Sequence, residues 1–191
     1  MLSQFTAYLR ERFRPQVFGV AVLGLTLLAI ATAAGGWDVG PAARALLMMG
    51  LLVLQFRLWD DLEDRGRDAQ THPERVLVRA APRPFWWALI ALAWINLGMV
   101  KQMGTQPALA SLVGLDLAAL VAYWWLRTIV SGRVWTHWIL LAKYPVLVAI
   151  VALATGPVTW QLLLVACGLS FGAAHVYERA HNRAPGPGDH R

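Results

Sequence analysis

Residues 45–56 read ALLMMGLLVLQF, and residues 57–79, which follow without a break, read RLWDDLEDRGRDAQTHPERVLVR. The first stretch is greasy enough for the interior of a bilayer. The second gathers Asp60, Asp61, Glu63, Asp64 and Asp68, five of the chain's eleven carboxylates, into nine positions. An apolar helix that ends in a dense block of negative charge sets the terms on which the rest of the chain is read.

The surroundings make the apolar half a membrane segment. The 191 residues are 58% hydrophobic and 15% charged, with a mean hydropathy of +0.49. Soluble domains carry about 45–50% apolar and roughly 25% charged residues. Six segments have the composition and length to span, at 16–35, 41–59, 83–101, 107–126, 134–155 and 158–177. Short breakers separate them: GGWDVGP, KQMGTQP, RTIVSGR and TGP. Connections this short make neighbouring helices antiparallel within one bundle. The expected fold class is therefore all-α, a polytopic integral membrane bundle of about six transmembrane helices at 16–177. An amphipathic segment at 1–15 precedes it and a tail at 178–191 follows.

Positive charge orients the bundle. Arg10, Arg12 and Arg14 precede the first span, Arg65, Arg67, Arg75, Arg79 and Arg83 follow the second, Arg127 and Arg133 follow the fourth, and Arg179, Arg183 and Arg191 lie in the tail. Lys101 and Arg44 fall at the other side, so thirteen basic residues oppose two. Basic residues collect in cytoplasmic loops. Both termini and the acidic stretch are thus expected in the cytoplasm, and the cell's inner membrane is the expected location. The same distribution accounts for the net charge of +6 without a nucleic-acid partner. Trp59, Trp86, Trp87, Trp124, Trp125, Trp135 and Trp138 near one side, with Trp37 and Trp160 near the other, fit two interfacial belts.

The amino-terminal apolar run exceeds the 7–15 residues of a signal-peptide core, which favours a retained helix. Before it, Leu2, Phe5, Leu9 and Phe13 recur at helical spacing, the pattern of a helix lying on the membrane surface. Cys167 is the only cysteine, so no intrachain disulfide forms. The tail ends APGPGDHR, a composition that does not fold.

If the second span continues as helix, Asp61, Asp64 and Asp68 share one face at i, i+3 and i+7, and Asp60 joins Asp64 at i+4. Like charges at these spacings repel, and a helix carboxyl end disfavours anions. A divalent cation would reverse both penalties; clustered oxygens with room for water suit Mg2+ bridging to phosphates. The alternative is a solvated loop neutralised by Arg57, Arg65 and Arg67. A calcium EF-hand is excluded, because its register from Gly66 puts Arg65 at a ligand position and His72 where the closing Glu belongs.

The stretch D60-D-L-E-D64-R-G-R-D68 resembles the first aspartate-rich motif of the UbiA-type intramembrane prenyltransferases, N/D-D-x-x-D-x-x-x-D. It sits where that family carries it, at the cytoplasmic end of the second helix. HPERVL with Arg75 is similar to the basic segment after the family's motif. Arg14-Pro15 resembles the family's approach to helix one, and Tyr123-W-W-L-Arg127 its Y-x-x-x-K/R element. The resemblance implies a protein that binds a prenyl diphosphate through Mg2+ and transfers the prenyl group to a hydrophobic acceptor, aromatic or lipid. Asp60, Asp61, Asp64 and Asp68 would hold the metal. Arg57, Arg75 and Arg127 would contact the diphosphate, with Tyr123 nearby. Metal and arginines would stabilise the leaving diphosphate.

The sequence departs from that pattern. The family's nine helices are here about six, and its second aspartate-rich motif is replaced by H175-x-x-E178-x-x-x-N182. His175, Glu178 and Asn182 are a worn second motif, a transition-metal site completed by His181, or a solvated helix end. A facing pair of sites would place them across the cytoplasmic mouth from Asp61 and Asp64.

Two charges remain at mid-membrane, Asp116 in span four and Lys143 in span five. A lone charge at the bilayer centre costs at least about 2.5–3.5 kcal/mol. Similar depth on antiparallel helices predicts that the two pair, or that they line a polar cavity for the acceptor or a proton. Pro145 is expected to kink or open span five, and His137 to face the same cavity. The competing functions are a non-catalytic relative that binds a lipid, a metal or a partner subunit, and a small transporter.

Overall fold

The computed structural model of the chain describes residues 2–34, 39–103, 105–126 and 133–182. The described residues are mostly helical, 88% of them, with no strand. In chain order the helices are α1 (Leu2–Arg12), α2 (Pro15–Ile30), α3 (Val39–Thr71), α4 (Val76–Arg79), α5 (Arg83–Gln102), α6 (Gln106–Val121), α7 (Arg133–Thr155) and α8 (Trp160–Asn182). A π-helical turn, Ala122–Leu126, extends α6.

Proline and glycine set most of the boundaries. α2, α5 and α6 each carry proline in the first helical positions, where the missing N–H is no loss and φ is already helical. α3 stops at Thr71 because His72 precedes Pro73, and the ring of a proline disfavours helix in the residue before it. Gly156, with φ of 153°, ends α7 in a conformation that a side chain would disfavour. The chain then passes close to the end of α2. Ala34 N–H donates to the Pro157 carbonyl at 2.9 Å, and Thr159 N–H to the Thr32 carbonyl at 2.9 Å.

Among the described residues, four helices are long and apolar enough to cross a membrane: α3, α5, α6 with its π turn, and α8. The pair α1–α2, bent by 75°, makes a fifth if it is counted as one span. Helices of this kind belong to an integral membrane protein. A helix occupies each of the six stretches that the sequence marks as apolar, but two fall short as single spans. α2 has 16 residues, about 24 Å of rise against a hydrocarbon core of about 30 Å. In α7 the apolar helix of the described side chains is Leu141–Thr155.

α7 is the centre of the bundle, packed against α2, α3, α6 and α8, while α3 also packs on α2 and α5. α7 stays helical through Pro145. On α3 the buried positions Ala45, Met48, Met49, Leu52, Gln55, Phe56, Trp59 and Leu62 follow the i, i+3, i+4, i+7 spacing of one inward face. The helix does not end at the membrane. It runs 33 residues, about 50 Å, and carries the whole acidic stretch as helix.

Candidate functional site

The continuation of α3 beyond Trp59 brings its aspartates to the end of the bundle where α1, α4, the π turn and α7 converge. Asp61 is buried. The Arg12 guanidinium donates to both of its oxygens, Nε to Oδ2 at 2.9 Å and Nη2 to Oδ1. The Tyr8 hydroxyl donates to Oδ2 at 3.0 Å. Arg57, one turn earlier on α3, lies 3.5 Å from the same oxygen. Burial first, then the Asp61 carboxylate, push the Tyr8 phenol well above its ordinary pKa. It therefore stays protonated and serves as a donor.

Asp60 points to a neighbouring sector. Lys143 of α7 donates to Oδ2 and the Tyr123 hydroxyl to Oδ1. The π turn after α6 sets Tyr123 there, with its ring 5.6 Å from that of Trp59. Such turns recur at functional positions because they re-aim side chains without ending the helix. Asp68, also buried, pairs with Arg75 at 2.5 Å. Asp64 is half-buried on the same helix.

The loop after α3 is fastened as well. Arg65 donates to the carbonyls of Leu77 at 2.9 Å, Val78 at 3.0 Å and Ala80 at 3.1 Å. These are carbonyls that the short helix α4 leaves open at its end. Glu11 of α1 accepts the Val76 N–H at 2.9 Å, at the end of α4 where a carboxylate is favoured. Beneath this layer Phe85 meets Tyr8 edge-on at 5.5 Å.

The structure corrects the expected pairing of the two charges within the spans. Asp116 and Lys143 do not bond to each other. Asp116 Oδ1 accepts from Gln55 Nε2 at 2.8 Å, and Gln55 Oε1 accepts from Asn96 Nδ2 at 2.8 Å. Lys143 bonds to Asp60 instead. α3 supplies both partners, since Gln55 and Asp60 sit five residues apart, about 7.5 Å along its axis.

His175 and Glu178 are half-buried on α8, whose main neighbours are α7 and α2 rather than α3. Among the described residues, no three His, Cys, Asp or Glu side chains converge as a metal site. The acids assigned to Mg2+ by resemblance fail the fit in this arrangement for a visible reason. Both oxygens of Asp60 are taken by Lys143 and Tyr123, both of Asp61 by Arg12 with Tyr8, and one of Asp68 by Arg75. Arg127 lies outside the described residues, as do the side chains of His137, His181, Asn182, Trp125, Trp135 and Trp138.

Sequence reasoning missed Tyr8, Arg12, Gln55 and Asn96 as members of these networks. Their signals were present: Phe5, Tyr8 and Arg12 share a face at i, i+3 and i+7, and Gln55 and Asn96 each interrupt an apolar run. No family model, curated protein or solved structure matches the chain.

Proposed function

We propose that the chain is a UbiA-like protein of the cell's inner membrane whose acidic stretch is a clasp, and that it works by binding a lipid or a partner subunit without prenyl transfer. The observation that carries this reading is the commitment of Asp60, Asp61 and Asp68 to Lys143, Arg12 and Arg75. The three cations come from α7, α1 and the loop before α4. In a diphosphate site the carboxylates hold metal and the cations face phosphate. Here acid and base neutralise each other and tie separate segments to α3.

The prenyl diphosphate reading has one feature in its favour. Carboxylates and cations stand together at a single mouth, and a Mg2+ diphosphate would offer each set a partner. Asp60, Asp61, Asp64 and Asp68 would take the metal, and Arg57, Arg75, Arg127 and Lys143 the phosphates, once the ion pairs open. A hydrophobic acceptor would come from the bilayer. The transporter reading loses its basis in a shared Asp116–Lys143 site.

Binding of a labelled prenyl diphosphate to the purified protein separates the two main readings. The clasp predicts equal, weak binding with Mg2+ and with chelator, and no transfer product. Saturable binding that requires Mg2+ and is lost in Asp64→Ala would establish the diphosphate site instead. Orientation has its own test. Reporter fusions at either terminus are expected to signal from the cytoplasm, and an external signal from one of them would reverse or break the proposed topology.

A further inference from the structure

We propose that the groove between α1, the start of α2 and α3 is a binding site for an anionic phospholipid, one acyl chain lying along α3 and the headgroup phosphate on Arg10 and Arg14. The inference deepens the lipid-binding reading and rests on it, because the clasp holds the helix that roofs the groove.

α1 has two working faces. Phe5, Tyr8 and Arg12 turn toward Phe85 and Asp61. Thr6, Leu9, Arg10 and Phe13, displaced around the same helix, turn toward a groove of about 600 Å3. Its floor is the α3 stripe Leu47, Gly50 and Leu54, and Phe18 of α2 closes one side. Cavities of roughly 300–1,000 Å3 are typical of ligand sites. From Leu54 to Leu46 the groove follows eight residues of α3, about 12 Å, away from the charged end and into the apolar part of the bundle. Leu46 and Leu47 are exposed, so the groove opens sideways to where lipid lies.

The walls are apolar, and the charge is confined to one end. Arg10 and Arg14 are both exposed, and the described residues give neither an acidic partner. Arg10 lines the groove itself, and Arg14 stands between the lining residues Phe13 and Pro15. The 75° bend between α1 and α2 lays α1 across the membrane face, where basic side chains draw anionic lipids. An apolar tail with a negative head satisfies both halves of the site. A free phosphate would leave the apolar wall unused, and a zwitterionic lipid would bring a cationic group up to the arginines beside its phosphate.

The test uses the whole purified protein in a mild detergent, titrated with phosphatidylglycerol or phosphatidylcholine of identical chains and read by native mass spectrometry. Phosphatidylglycerol is expected to bind at least tenfold more tightly. Arg10→Glu with Arg14→Glu should remove that preference, weakening phosphatidylglycerol far more than phosphatidylcholine. Gly50→Leu fills the floor, where a new Cβ meets only Val22 Cγ1 at 3.9 Å, and should weaken both lipids while the protein stays folded. Arg10→Gln alone, which keeps the helix neutral to folding, should lower the preference in part. Equal affinity for the two lipids would overturn the proposal, as would an unchanged preference in the arginine variants. Competition by glycerol phosphate as strong as that by intact lipid would show a bare phosphate site and overturn it too. Mg2+-dependent prenyl diphosphate binding, by contrast, would displace the clasp reading while leaving a lost lipid preference to judge the groove alone.

Discussion

Asp61→Ala is expected to destabilise the protein by about 3–5 kcal/mol, the cost of removing one partner from a buried ion pair. The side chain of Asp61 is 4% exposed and that of Arg12 18%, so water replaces little of what is lost. Arg12 would keep its charge in a protein environment, Tyr8 would lose its acceptor, and Arg57 would lose the nearest anion on its own helix. An exposed pair would contribute only about 0–1 kcal/mol, which gives the measurement a clear threshold. Unfolding in detergent, followed by the loss of helix signal, reads the difference. A second signature is local: α1 should come free, so trypsin should cut at Arg10 and Arg12 faster in the variant than in the native chain. Asp61→Asn combined with Arg12→Met removes both charges and should recover most of the loss. A loss below about 1 kcal/mol for Asp61→Ala, with unchanged tryptic cleavage, would show that the clasp is not a stabilising element.

The parts of this arrangement that sequence discloses are those governed by one helix at a time. Apolar runs and the prolines and glycines between them place α2, α3, α5, α6, α7 and α8. The pattern Leu2, Phe5, Leu9, Phe13 anticipates a separate amphipathic helix at the start. The spacing of Asp61, Asp64 and Asp68, by contrast, puts them on one face only if α3 continues as helix, and a loop is the open alternative that the run of α3 to Thr71 removes. What sequence does not disclose is the register of one helix against another. The sequence places Asp116 and Lys143 near the middle of their helices, but position along one helix does not choose a partner on another. A shift of α3 by about 7.5 Å, with the rotation that five residues entail, decides whether Gln55 or Asp60 stands opposite a given residue. Tyr123 depends on a π turn, which leaves no periodic trace. Arg12 was legible as a topology signal, and that reading hid its second role. A positive charge counted for orientation is also free to fold back onto a carboxylate.

Lys143→Met provides the test of that register, and its expected effect is again about 3–5 kcal/mol. The side chains of Lys143 and Asp60 are 11% and 16% exposed, and α7 sits among four other helices. Methionine keeps the apolar bulk of the lysine stem, so the loss reports the ammonium and not a cavity. With the ammonium gone, Asp60 retains the Tyr123 hydroxyl, which stabilises a carboxylate by hydrogen bonding but does not balance its charge. Asp60→Asn in the same background removes the uncompensated anion and should return much of the stability, giving a coupling of at least about 1 kcal/mol between the two positions, within the range seen for contacting residues. Asp116→Asn offers the contrast. Its partner is the Gln55 amide, and an amide oxygen accepts from Gln55 Nε2 as a carboxylate does, so the single change should cost little. Combined with Lys143→Met it should add independently, to within about 0.5 kcal/mol, because the two residues share no partner. Strong coupling of Lys143 to Asp116, with none to Asp60, would mean that α7 is set against α6 in a different register, and the charged end of the bundle would have to be rebuilt around the acids that Lys143 had released.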